Sequence, residues 1–199
     1  VSCAVHLSLC FSMMLQHNFL PPPPNWTKVI LNPIVKDKSA NLSDKDNYRP
    51  IALATVSSKI LEQIILARCK SSLATSENQF GFKSGHSTDM AIYVLKEVID
   101  YYLRNGSPVF MCFLDAHKAF DRINHWTLFE KLLFKGVDPD IVRLLVSWYG
   151  SQQFCVTWGS YTSEGFAVTN GVRQGGILSP YLFNMYPQHR SSNLSYETS

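Results

Sequence analysis

The sequence lacks the cysteine spacing that staples small secreted domains or binds zinc. Its five cysteines are odd in number and widely scattered, and no two of them form a Cys-x-x-Cys pair. Neither a disulfide framework nor a zinc site is therefore indicated, and a reducing compartment fits best. We accordingly expect an intracellular protein, of either the nucleus or the cytoplasm.

A strong excess of charge of either sign is also missing. The 199 residues carry a formal net charge of +3, with 46% hydrophobic and 17% charged residues. This mild basicity permits a nucleic-acid partner without arguing for one. The composition is that of a globular chain long enough to bury a sizeable core.

The apolar N-terminus lacks the basic front of a signal peptide. Apolar residues recur there at helical spacing, which predicts an amphipathic helix over about residues 1–20 and no membrane partner. The helical positions are Leu7, Cys10, Phe11, Met14 and Leu15.

Short apolar runs then alternate with helical patterns, as is typical of an α+β fold. Two strands, "WTKVILNPIVK" (broken at Asn32-Pro33) and "YRPIAL", are predicted to pair as a hairpin across the charged connector "KDKSANLSDKDN". A second hairpin is predicted within "QQFCVTWGSYTSEGFAVT". Apolar periodicity predicts helices over 57–69, 88–103, 125–134 and 139–149, the last two closed by Gly136 and Gly150, and a final helix from Ser179-Pro180.

Residues 108–114, "PVFMCFL", form a continuously apolar run that predicts a strand buried on both faces. Asp115 follows directly, and Asp121 lies six positions later. An ionised carboxylate at the end of a buried strand needs a cation nearby. A salt bridge to Lys or Arg and a bound divalent metal both meet this need, and residue type alone favours the salt bridge.

Two glycine-punctuated loops, "QFGFKSGHSTD" and "NGVRQGGILSPYLFN", are candidates for ligand contact. Glycine lets a backbone approach a ligand closely, so the second loop is a weak phosphate signal. The first loop is equally compatible with a solvated turn.

Four blocks in this order, "NYRPIAL", "QFGFKSGHSTD", "FLDAHKAFDRINH" and "GVRQGGILSPYLFN", closely resemble the reverse transcriptases of non-LTR retrotransposons. The resemblance spans about residues 24–186. It implies an α+β right-hand polymerase with fingers and a partial palm, in which helices pack on short antiparallel sheets. The partial domain would cover 21–186, with fingers at about 21–85 and 125–168 and palm at about 86–124 and 169–186. Residues 1–20 would be a helical lead-in and 187–199 an unrelated tail.

The resemblance also implies roles for individual residues around a nucleotide. Asp115 would be the catalytic ligand of Mg²⁺ or Mn²⁺, and the carbonyl of Ala116 would assist it. Lys36 and Arg49 would grip the triphosphate of the incoming deoxynucleotide.

Further implied roles concern the sugar, the template and the turn. Phe120 would lie beneath the sugar, and Gln174 with Gly175 would line nucleotide and template. Lys83 and Arg173 would contact nucleic acid, that is, an RNA template or a DNA primer. Asp121 would shape the turn after Asp115.

One feature of that family is missing from the sequence. The aromatic-x-Asp-Asp turn expected after the "LFN" helix does not occur. We therefore expect a fragment of an RNA-directed DNA polymerase that does not synthesise DNA alone. The alternative is a non-catalytic, nucleic-acid-binding remnant of a decayed retroelement.

Overall fold

Local side chains fix where the helices of this chain begin. In the computed structural model, which describes residues 2–21 and 26–187, the side chains of Thr55, Ser87 and Asn124 each accept a hydrogen bond from a first-turn amide. Such caps satisfy amides that have no partner inside a helix. The elements within the described residues are α1 Ser2–His17, β1 Lys28–Val35, β2 Tyr48–Leu53, α2 Val56–Cys69, α3 Thr88–Arg104, α4 His125–Phe134, α5 Pro139–Ser151, β3 Gln153–Trp158, β4 Tyr161–Thr162 and α6 Ser179–Met185.

These elements confirm the α+β class and most of the predicted helices. The last helix begins with Ser179-Pro180 as expected. Gly136, with a φ of +75°, follows the end of α4. Gly150 was predicted to end α5, but the helix runs on to Ser151, because a single glycine lowers helix propensity without removing a hydrogen bond.

The four strands form one sheet in the order β2-β1-β3-β4. The predicted hairpins are present, because β1 pairs antiparallel with β2 and β3 pairs antiparallel with β4. Strands β1 and β3 run parallel, so the sheet is mixed and not purely antiparallel. This pairing joins strands that are separated by most of the chain, so no local sequence pattern predicts it.

The predicted break at Asn32-Pro33 does not occur, since β1 continues to Val35. Pro33 lies opposite Pro50, and the pairing of β1 with β3 stops at Leu31. A proline fits such a ladder where its missing amide would point away from the paired strand. Two facing prolines therefore cost β1 no hydrogen bond to β2.

One hydrophobic cluster, which we call the helical core, joins α1, α2, α4, α5 and α6. Trp148 of α5 is fully buried at its centre, and its indole Nε1 donates to the carbonyl of Trp26 over 2.9 Å. The predicted N-terminal helix is part of this cluster through Phe11, Met14 and Leu15. Within the described residues, no helix is long and apolar enough to cross a membrane.

The predicted strand at 108–114 is wrong. Residues 107–116 have no strand or helix, and Phe110 and Leu114 are 92% and 94% exposed. A strand buried on both faces needs neighbours on both edges, and none of the described strands pairs with this segment. Helix α3 likewise buries none of its residues. We call α3 and residues 107–114 the exposed layer.

Candidate functional site

A cleft of about 580 Å³ lies between the start of β2 and the segment that follows the exposed layer. One wall contains Lys36 and five residues between Lys45 and Pro50, the other contains residues 115–121, and Gln174 completes the lining. Six residues with predicted nucleotide or metal roles therefore meet in one cleft. They are Lys36, Arg49, Asp115, Ala116, Phe120 and Gln174.

Main-chain hydrogen bonds from residues 171–174 hold the two walls together. The amides of Gly171 and Val172 donate to the carbonyls of Ile123 and Phe120 over 2.7 and 2.9 Å. The amide of Ala52 in β2 donates to the carbonyl of Gln174 over 2.7 Å. The "GVRQGG" loop thus links residues 120–123 to β2, and the cleft depends on its conformation.

Glycine is required in this loop because other backbone lies very close. Gly171 and Gly175 have φ values of +91° and +108°, which side chains rarely adopt. A Cβ on Gly175 would lie 3.1 Å from the carbonyl oxygen of Ala52. The close approach predicted for this loop is made to the protein's own backbone. Gly175 is not among the lining residues of the cleft and lies against Ile51 and Ala52 of β2.

Basic side chains dominate the first wall. The ammonium of Lys36 donates to the main-chain oxygen of Asp46 over 2.7 Å. The ammonium of Lys118 lies 2.6 Å from the carboxylate of Asp46, and this hydrogen bond holds the pKa of Asp46 below its ordinary value. Arg49 is exposed and has no side-chain partner among the described residues. The wall can therefore offer cations to an anionic ligand.

Asp115 is exposed at the opposite wall, because the strand before it does not form. It makes no salt bridge within the described part of the chain. The burial cost that the sequence implied therefore does not arise here. Asp121 is also exposed, and its amide closes a turn by donating to the carbonyl of Lys118 over 3.0 Å.

The donors available for a metal ion are few. Among the described residues, no three His, Cys, Asp or Glu side chains come together as a metal site. Asp115 offers one carboxylate, and Mg²⁺ usually keeps several waters while binding one or two carboxylates and substrate phosphates. The residues present thus fit Mg²⁺ only as the partner of a bound phosphate group.

Phe120 forms part of the cleft floor and is held on two sides. Its ring stacks on Phe183 with centroids 4.8 Å apart, and Phe82 meets it edge-on at 5.9 Å. Aromatic contacts of this kind fix ring orientation. A rigid ring is therefore available to contact a ligand.

The prediction that Arg173 contacts nucleic acid is wrong. Arg173 is only 4% exposed and forms a buried ion pair with Glu62 of α2. Its guanidinium also donates to the hydroxyl of Ser58 over 3.1 Å and lies 4.8 Å above the ring of Trp148. A buried cation needs such partners, so Arg173 holds the loop in place. Lys83 lies outside the cleft and donates to the carbonyl of Ser76 over 3.0 Å.

Glu62 is the structural residue that sequence reasoning missed. One carboxylate oxygen pairs with Arg173, and the other accepts from the amide of Ile177 over 2.6 Å. Glu62 therefore fixes both ends of the stretch that carries Gln174. The signal was available, because the buried positions of α2 (Ser58, Leu61, Glu62, Ile65 and Cys69) follow helical core spacing with a carboxylate among them.

The chain thus combines a mixed α+β fold with a basic cleft, a facing aspartate and a glycine loop between the walls. The chain belongs to the reverse transcriptase (RNA-dependent DNA polymerase) family, whose family model matches residues 35–197. The match extends past residue 186 into the segment predicted to be an unrelated tail. Residues 188–199 of that segment lie outside the described structure.

Within this family, the chain is similar to polymerases of mobile elements. It is 30% identical to the RNA-directed DNA polymerase from mobile element jockey of Drosophila funebris, over 92% of this chain and 20% of that protein. It is also 30% identical to the probable RNA-directed DNA polymerase from transposon X-element of Drosophila melanogaster, with the same coverage. Identity to the Pol polyprotein of the retrotransposable element R2DM is 26%, over 74% of this chain and 14% of that protein. The chain spans about a fifth of the length of the first two relatives.

Proposed function

We propose that this chain is part of an RNA-directed DNA polymerase of a non-LTR retrotransposon, and that the cleft binds the incoming deoxynucleotide. The observation that carries this proposal is the meeting of Lys36, Arg49, Asp115, Phe120 and Gln174 in one cleft. These residues come from three distant parts of the sequence. The relatives named above are polymerases of mobile elements, which supports the same reading.

The first wall would bind the triphosphate. Arg49 presents a planar guanidinium suited to phosphate oxygens, and Lys36 lies close by at the same wall. The carboxylate of Asp115, with the carbonyl of Ala116, would hold Mg²⁺ or Mn²⁺ together with the substrate phosphates. When bound, such an ion stabilises charge on phosphoryl oxygens during nucleotidyl transfer.

The remaining residues would orient the nucleotide and the strands. The fixed ring of Phe120 would pack beneath the sugar and disfavour a 2′-hydroxyl. Gln174, held by the β2 amide and by the buried Arg173, would line the nucleotide and the template. Lys83, on a loop away from the cleft, would contact an RNA template or a DNA primer.

DNA synthesis is proposed for the parent protein and not for these 199 residues alone. The sequence contains no Asp-Asp pair, and the described residues offer Asp115 without a second cluster of carboxylates. Two metal ions about 3.5–4 Å apart need more negative charge than one carboxylate supplies. The same observation favours a second candidate function, a non-catalytic remnant that binds RNA through its basic groups and releases it as salt rises.

Nucleotide binding by the purified chain tests the proposal. We expect dTTP with Mn²⁺ to bind measurably by titration calorimetry, and Arg49→Ala to weaken binding about tenfold, as loss of a charged hydrogen bond implies. Arg104→Ala on α3, where Arg104 is exposed and does not line the cleft, is the matched control.

Thermal melting separates binding from folding in this experiment. Arg49 is exposed, so Arg49→Ala should change the free energy of unfolding by less than about 0.5 kcal/mol. A large loss of stability with unchanged nucleotide affinity would assign Arg49 to the fold and contradict the proposed role.

A further inference from the structure

Lys118 and Asp46 form an ion pair between residues that line the cleft. Their charged atoms are 2.6 Å apart, and their side chains are 38% and 46% exposed. Asp46 belongs to the wall that precedes β2, and Lys118 belongs to the segment 115–121. The pair therefore joins the two walls of the cleft.

The backbone presents Lys118 at this place in an unusual conformation. Its φ is +51°, in the left-handed region that lysine rarely adopts. The turn that holds it is closed by the amide of Asp121 bonding to the carbonyl of Lys118. A strained residue persists where the surrounding structure determines it, and such residues cluster at ligand sites.

Asp46 accepts hydrogen bonds from two of the cationic side chains that line the cleft. Its carboxylate holds Lys118, and its main-chain oxygen holds Lys36. Lys45 and Arg49 line the same wall. Of these cations, Lys118 bonds to the carboxylate itself, so Asp46 chiefly limits the charge that Lys118 can offer to a ligand.

A polyphosphate would be a stronger partner for Lys118 than Asp46 is. An ion pair as exposed as this one contributes little to stability, because water screens both charges. A triphosphate carries several charges and more acceptor oxygens, and charge-assisted hydrogen bonds to phosphate are among the stronger ones. Exchange of Asp46 for phosphate at Lys118 is therefore favourable when the ligand is present.

We propose that Lys118 is a triphosphate ligand of the cleft, and that Asp46 competes with the nucleotide for it. This inference rests on the proposed function, since it assigns the polyphosphate part of the nucleotide to a named side chain. In the empty cleft Lys118 bonds to Asp46. In the occupied cleft Lys118 bonds to phosphate, and Asp46 is released.

The competition predicts substitutions of opposite sign. Lys118→Gln should weaken binding of inorganic tripolyphosphate and of dTTP about threefold to tenfold, because a charged hydrogen bond is lost. Asp46→Asn should strengthen both about twofold to fivefold, because an exposed competing pair is removed. In the Lys118→Gln background, Asp46→Asn should have no further effect, since Asp46 acts through Lys118.

The matched control is another exposed ion pair of the same length. The charged atoms of Arg143 and Asp140 on α5 also lie 2.6 Å apart, and neither residue lines the cleft. Arg143→Gln and Asp140→Asn should leave tripolyphosphate and dTTP affinity unchanged. Thermal melting of all variants identifies any that lose their fold.

Calorimetric titration with tripolyphosphate, dTTP and a single-stranded RNA oligonucleotide decides the matter. Opposite effects of Lys118→Gln and Asp46→Asn on the first two ligands, absent in the double variant, support the inference. Unchanged dTTP affinity in Lys118→Gln overturns it while the proposed function stands. An effect on RNA alone also overturns it, because Lys118 would then bind a nucleic-acid backbone. If the unaltered chain binds neither dTTP nor tripolyphosphate, both proposals fail.

Discussion

The helical core and the exposed layer have similarly apolar sequences, but the first is buried and the second is exposed to solvent. Helix α5 buries six residues of its apolar face, including Leu144 and Trp148, whereas α3 is equally patterned and buries none. Periodicity thus tells which face of a helix is apolar, but not which element covers it. The cleft lies at the junction, because residues 115–121 follow the exposed layer and bond to the loop held by the core.

The largest effect should come from the buried ion pair that joins the core to the cleft. Glu62→Ala leaves Arg173 buried without its carboxylate, which should cost about 3–5 kcal/mol in the free energy of unfolding. Chemical denaturation measures this loss.

A double replacement sharpens that result. Glu62→Leu combined with Arg173→Met removes both charges, so part of the stability should return, although the amide of Ile177 still lacks its acceptor. If Glu62→Ala alone lowers the free energy of unfolding by less than about 1 kcal/mol, the ion pair does not hold the loop. The proposed connection between the helical core and the cleft would then be wrong.

The same substitution in the two regions compares them directly. Leu144→Ala removes a side chain that is fully buried in α5, and should cost about 2–5 kcal/mol. Leu103→Ala removes one that is 57% exposed in α3, and should change stability by less than about 0.5 kcal/mol. Equal losses in the two variants would show that α3 is packed in solution and would contradict the described contrast.

Cysteine reactivity gives a smaller and independent test. Cys69 is buried in the helical core, and burial raises its pKa from 9.0 to about 11. Cys112 is exposed in the other region. At pH 8 the thiolate of Cys69 is therefore scarce, and iodoacetamide should label Cys112 at least about a hundredfold faster.

Mass spectrometry of the labelled peptides reports both rates in one sample. Unfolding the chain in denaturant should bring the two rates together, which serves as the control. Similar rates in the native chain would show that Cys69 is accessible.

The sequence predicted the local elements, which are the helices and hairpins, and the four motif blocks together predicted the cleft residues. Apolar periodicity predicted the starts of α2, α3 and α4 to within one residue, and strand and turn composition predicted both hairpins. The cleft residues were found by resemblance, which joins segments that no periodicity connects. What failed was long-range: the parallel pairing of β1 with β3, the unpaired segment 107–116, and the burial of Arg173.

Arg173 shows why such errors arise. Its neighbours in sequence are glycine, valine and glutamine, which suggest a loop open to a ligand. Its partners are Glu62 and Ser58, more than 100 positions earlier. Lys118 and Asp46 were overlooked for the same reason, because a charged connector alone does not reveal the cation 72 residues away that its carboxylate meets.

The central claim is that the cleft between residues 45–50 and 115–121 binds the nucleotide. Titration of dTTP into the isotope-labelled 22.5 kDa chain, followed by amide chemical shifts, tests it directly. We predict saturable shifts at Lys36, Arg49, Lys118, Phe120 and Gln174, with the amides of α3 unchanged. Shifts confined to α3 or to α5, or none at millimolar dTTP, would contradict the account.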